Sequence, residues 1–153
     1  MEGKKITELL IDHHNEMREL VEEIKKDNKK FILLKKHIDI HHELEEDLLL
    51  ALLNENDEIK DDSLESQEEH VVLNFLMLDL ADFPKDNPRW KVKFKVLNEI
   101  LDHHLEEEEE DLFPDAEDKI PNDKLLELGG RFQELKIKRL KYILETKASR
   151  GGK

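Results

Sequence analysis

Four stretches of this chain repeat apolar residues every three or four positions, and each is long enough to form a helix of about six turns with one greasy side. Such stripes must be buried against one another, and the punctuation between them sets how. The first stretch covers about 5–26 and stops at Asp27-Asn28-Lys29-Lys30. The second covers about 31–53 and leads into Asn54-Glu55-Asn56-Asp57 and a loop through Asp62. Ser63 is the expected cap of the third, about 63–83, which Phe83-Pro84-Lys85-Asp86-Asn87-Pro88 brings to an end. The fourth covers about 89–112 and is expected to stop at Pro114. A fifth, about 122–146, follows Pro121 and is expected to break or bend at Gly129-Gly130, with a mobile tail at Arg150-Gly151-Gly152-Lys153.

Helices of about 22 residues are ~33 Å long, and loops of about five to ten residues favour antiparallel neighbours. The expected fold is all-α: an up-down-up-down four-helix bundle with an additional C-terminal helix, one domain over 1–153. Composition enters as a check. Charged residues make up 42% of the chain, a level that suits disorder when apolar residues are scattered, but here they are gathered into stripes. A net charge of -14 repels phosphate backbones and anionic bilayers, so no nucleic-acid or membrane partner is expected. No apolar run approaches the ~20 residues of a membrane span, and a soluble cytoplasmic protein is the expectation. The absence of Cys removes disulfides, thiolate zinc sites and Cys-ligated iron–sulfur clusters, so any metal must be held by nitrogen and oxygen.

The stripes themselves contain polar residues. In the second stretch the core-facing series is Leu34, Ile38, His41, Glu45, Leu48, Leu52; in the fourth it is Phe94, Leu97, Leu101, His104, Glu108, Leu112. The third offers His70, Leu73, Met77, Leu80, and the first Leu10, His14, Met17, Val21, Ile24. Six unpaired imidazoles and carboxylates in a bundle core would cost far more than the ~5–15 kcal/mol by which a domain is stable. A metal compensates them: spacing of i to i+4 puts His41 with Glu45, and His104 with Glu108, on one helix face. Four imidazoles and two carboxylates suit Fe, Mn or Zn, and suit a pair of ions better than one.

Periodicity does not separate His14 from His13, because Ile6, Leu10, His13, Met17, Leu20 and Ile24 form an equally good stripe, and His42 with Glu46 is a shifted alternative to His41 with Glu45. His37, His42 and His103 lie beside the stripes and are expected at partly solvated helix edges. In the run 106–111 only Glu108 is expected to face inward. Met17 and Met77 are expected in the core, since a thioether is a poor ligand for iron. The basic cluster Arg131, Lys136, Lys138, Arg139 and Lys141 is expected to be a solvated face or a complement to the acidic body.

Taken in order, His14, His41 to Glu45, His70, and His104 to Glu108 resemble the hemerythrin-like, or HHE cation-binding, domain family over nearly the whole chain. The most specific stretch is His104-Leu-Glu-Glu-Glu108 followed by Leu112-Phe-Pro114; in the first motif Ala51 stands where many members have proline. The family's first-helix histidine is followed three residues later by an apolar residue, as His14 is by Met17, whereas His13 is followed by Glu16. The resemblance implies a di-iron centre with Glu45 and Glu108 as bridges, His14, His41, His70 and His104 as terminal ligands, and a bridging solvent oxygen. Oxygen carriers of this type use a further histidine one turn away on the third helix, where this chain has Ser66 and Asn74 around His70, which speaks against reversible oxygen carriage.

The expected function is a non-haem di-iron protein that binds a small oxidant, O2, peroxide or NO, as an oxygen, redox or iron-responsive module or an iron store, with Zn or Mn as other occupants. A di-iron peroxidase or NO reductase is the enzymatic alternative, and a metal-free helical interaction module the contrasting one.

Overall fold

Five helices, and no strand, make up the ordered elements of the computed structural model, which describes the backbone of residues 3–151 and the side chains of residues 3–142. The all-α bundle with its additional C-terminal helix is the architecture observed. Helix α1 is Ile6–Lys26, entered through a Lys5 backbone N–H that donates to the Glu8 carboxylate at 3.1 Å. Helix α2 runs over 31–53, its α-helical part Phe31–Glu45 passing through a π-helical turn, Glu46–Leu50, into Ala51–Leu53. Helix α3 is Lys60–Ala81. Helix α4 runs over 88–119 as Pro88–Glu107, a second π-turn Glu108–Leu112, and Phe113–Lys119. Helix α5 is Asn122–Gly151, and Gly152 and Lys153 of the expected tail lie outside the described residues.

Four features differ from expectation, each for a physical reason. Ser63 does not cap α3 but sits buried in its second turn, its hydroxyl donating to the Leu50 carbonyl at 3.3 Å and so tying α3 to α2. Pro114 does not end α4, because the ladder has already widened: the Phe113 N–H reaches back five residues to the Glu108 carbonyl, and the proline enters at the start of the resumed helix, where its missing N–H is tolerated. The π-turn in α2 adds a residue to the turn, so the core stripe slips by one and Leu53 is buried where Leu52 is only half-buried. Gly129-Gly130 do not interrupt α5. Gly129 instead lets the N-terminal segment cross closely, since a Cβ there would lie 2.1 Å from the Lys4 carbonyl oxygen.

Helix α1 packs on α2 and α5, α2 on α3, and α3 on α4. The bundle closes between α1 and α4 through Arg18, whose guanidinium meets Glu109 at 2.8 Å. Helix α5 lies over α1 and α2, with Lys136 on Glu16 and Arg139 on Glu43, both at 3.1 Å, so its basic residues complement the acidic body. The apolar core falls into two parts. One gathers Ile6, Leu10, Leu44, Leu49, Phe113 and Phe132; the other Met17, Ile24, Phe31, Met77, Phe94 and Leu101. Between them lies a layer of buried histidines and glutamates. No described helix is long and apolar enough to cross a membrane.

Candidate metal centre

The six residues singled out by their stripe positions, His14, His41, Glu45, His70, His104 and Glu108, are all buried, none more than 3% exposed. Their ligand atoms fall into two groups that share one residue: His14, His41 and Glu108 form one, and Glu45, His70, His104 and Glu108 the other. Glu108 spans both, its Oε1 3.3 Å from His14 Nε2 and its Oε2 3.5 Å from His104 Nε2. Glu45 Oε1 likewise lies between His70 Nε2 at 3.1 Å and His41 Nε2 at 3.9 Å. The Nε2 atoms of His14 and His41 are 3.2 Å apart, close to the roughly 3 Å expected of two nitrogens bound side by side to one ion at about 2.1 Å.

The opposite edge of each imidazole is tied down. His14 Nδ1 donates to Glu109 at 2.8 Å, His70 Nδ1 to Glu46 at 2.7 Å, and His104 Nδ1 to Glu69 at 2.6 Å, while His41 Nδ1 meets His13 Nδ1 at 2.9 Å. Outer carboxylates of this kind fix ring orientation and raise the basicity of the inward nitrogen. The inward atoms, by contrast, are poorly satisfied: His70 Nε2, His104 Nε2, Glu108 Oε1 and both oxygens of Glu45 are buried without a well-directed hydrogen bond among the described residues, meeting one another only as close imidazole–carboxylate pairs such as His70 Nε2 with Glu45 Oε1 at 3.1 Å. Such atoms are rare in folded proteins, and here they converge on one space. Ser66 donates to Glu108 Oε2 at 2.8 Å from one turn before His70, and Asn74, one turn after, is exposed.

Proton affinities reflect the crowding. Burial depresses the His14 imidazole, but hydrogen bonds to Glu108 and Glu109 and the charges of Glu108 and Glu45 outweigh it and push its pKa up to about 9. His70 is carried up to about 11 in the same way, against burial, by Glu108, Glu45 and Glu46. His104 is also raised, burial being overcome by Glu108 and Glu69. Glu45 is pushed up to about 7 by burial and the neighbouring Glu108 charge, whereas the His104 charge and hydrogen bonds from His14 and His70 hold Glu108 well below the usual carboxylate range despite its burial. His41 and His42 are held low, chiefly by burial and then by the imidazoles beside them.

Both residues of the His13–His14 tie are buried. His14 joins His41 and Glu108, whereas His13 stands behind His41 and passes its Nε2 to His37 Nδ1 at 2.9 Å. The edge expectation holds for His103, 70% exposed, and for half-buried His37; it fails for His42, which is 8% exposed and stacked on His70. Two glutamates, Glu69 and Glu109, escaped the sequence reading, and Glu46, named there only as a shifted partner of His42, instead backs His70; each is adjacent in sequence to a stripe residue and turned into a seam between helices. Glu109 in particular is no part of a solvated face, since it holds both His14 and Arg18. Met17 and Met77 pack in the core.

A cavity of about 310 Å³ between α3 and α4, lined by Asp62, Glu65, Glu69, Glu107 and Asp111 among others, reaches Ser66 and Glu108 from the surface. A larger one, about 760 Å³, lies around Trp90 at the far end of the bundle and includes none of these histidines.

The family model for the hemerythrin HHE cation-binding domain matches residues 5–116, an interval that holds every one of these residues. The chain belongs to that family. The coarse chemistry of this hemerythrin-like chain is therefore that of a cation-binding helical domain, and its buried His/Glu layer is a donor set able to hold metal ions. No curated protein matches the chain, and no solved structure does.

Proposed function

We propose that this hemerythrin-like domain is a non-haem di-iron protein that binds a small oxidant, O2, peroxide or NO, as an oxygen, redox or iron-responsive module or an iron store. The observation that carries this reading is the pair of ligand groups sharing Glu108, with poorly satisfied inward atoms and anchored outer edges. Nitrogen and carboxylate donors without sulfur suit iron, and the inward atoms fit two ions rather than one. When bound, the ions supply redox chemistry and open positions for a diatomic or peroxide ligand.

The chain's own residues set the rest. Glu108 and Glu45 each place an oxygen toward both halves, and the four histidines approach from α1, α2, α3 and α4. With His41 Nε2 turned to an ion, its Nδ1–H donates to His13 and the His13 Nε2–H in turn to His37, which fixes the tautomers of all three rings. Leu10, Met17, Leu97 and Phe113 on either side keep bulk water from the layer. Tyr142 is 70% exposed on α5 and Trp90 lies at the far end of the bundle, so neither stands beside the layer as an electron relay.

Iron analysis of protein purified without oxygen from iron-supplied cells tests the reading. Two irons per chain are expected, with a spectrum that changes on adding O2, peroxide or NO. Fewer than one iron per chain, or a loaded protein indifferent to all three oxidants, overturns it.

A further inference from the structure

Helix α2 offers the centre two imidazoles, not one. His41 and His42 are neighbours on the helix, about 100° apart around its axis. His41 accordingly turns to α1, its Nε2 3.2 Å from that of His14, while His42 turns to α3 and α4. There its ring lies parallel to His70, centroids 3.7 Å apart and planes within 9°, and 5.9 Å from the His104 ring. One ring nitrogen from each of His42, His70 and His104 falls within 4.8 Å of the other two. Two nitrogens bound to one ion at about 2.1 Å are up to about 4.2 Å apart, and each lone pair lies in its ring plane, so for the three to meet on one ion the His42 ring must turn out of its parallel stack on His70. Glu45, four residues after His41 and three after His42, stands on the shared edge of both directions.

We propose that His42 is a fifth histidine ligand of the centre, bound with His70 and His104 to the ion on the α3–α4 side. The proposal rests on the di-iron reading above and adds to it. The position that Ser66 and Asn74 leave without an imidazole on the third helix is supplied from the second, because Ser66 is engaged with Glu108 and Asn74 is exposed. The two ions then differ: three histidines hold the α3–α4 ion and two, His14 and His41, the other.

Loading the full chain with Zn(II) and recording long-range proton–nitrogen correlations of its eight histidine rings tests this directly. Five rings with a metal-shifted nitrogen are expected, with His13, His37 and His103 unshifted, and His42→Ala should leave four. In a parallel titration, His42→Ala should keep one tight Fe(II) and bind the second at least tenfold more weakly. Four shifted rings in the unaltered protein, with His42 among the unshifted, would overturn the proposal while leaving the two-ion reading intact. No metal-shifted ring at all would overturn both.

Discussion

His14 and His70 are protonated at neutral pH in the metal-free chain, because carboxylates raise them to about 9 and about 11. A raised folded-state pKa adds stability that is complete below the unfolded value of ~6.5 and is lost as pH climbs through about 9 and about 11. Metal competes for the same lone pairs, so its uptake near pH 7 should expel at least those two protons, and affinity should keep rising with pH, less steeply above about 9, up to about 11. Proton release measured in weakly buffered solution checks this; uptake without release contradicts it. The outer carboxylates are separable from the ligands. Glu69→Gln removes the charge behind His104 while keeping its shape, and should weaken metal binding about 10–100-fold with little change in the fold. Replacing His41 and Glu45 together by Leu should abolish two-ion binding yet leave the metal-free bundle as stable or about 1–4 kcal/mol more so in denaturant titrations, since apolar groups then replace buried polar ones. Strong destabilisation of the metal-free protein would show that these groups serve packing instead.

At the scale of the helix, both His-x-x-x-Glu segments run into a π-turn, Glu46–Leu50 after Glu45 and Glu108–Leu112 beginning at Glu108. Each turn takes up one extra residue just beyond a carboxylate, so the ligands and the apolar residues that follow both keep to the core. This is where the sequence was least legible. A regular period places His41, Glu45, His104 and Glu108 inward because the stripe before them is uninterrupted, but it cannot foresee the slip from Leu52 to Leu53 or the passage through Pro114. Nor can it choose Glu46, Glu69 and Glu109 among 24 glutamates, since their role depends on which seam between helices they face. His42 was in view only as an edge residue or as a shifted alternative to His41, not as buried beside it: one residue off a stripe is an edge on a two-neighbour helix and a second buried face on α2, which α1, α3 and α5 surround. The glycines of α5 give a paired prediction. Gly129→Ala must push the Lys4 carbonyl away and should cost about 1–3 kcal/mol, whereas Gly130→Ala meets nothing within 4 Å and should stabilise the helix by about 0.5–1 kcal/mol, both read from denaturant midpoints.

Across the whole molecule, the buried polar layer is held between two apolar clusters, whose packing fixes the backbone on either side of it. The net charge of -14, with the acidic cavity between α3 and α4 reaching Glu108, concentrates cations on the approach to the layer. Helix α5 answers the same acidity on the other side, where Lys136 pairs with Glu16 of α1 and Arg139 with Glu43 of α2, while Phe132 packs against His13 and His41. Bundle and cavity meet at a single residue, Glu108, the one shared by both ligand groups. A carboxylate shared between two ions makes them one magnetic unit. Low-temperature electron paramagnetic resonance of the oxidised, iron-loaded chain, quantified against its iron content, is therefore the most direct measurement: two ferric ions per chain with almost no signal, because the pair is coupled, is the result predicted here, and an isolated high-spin ferric signal accounting for all the bound iron would contradict it.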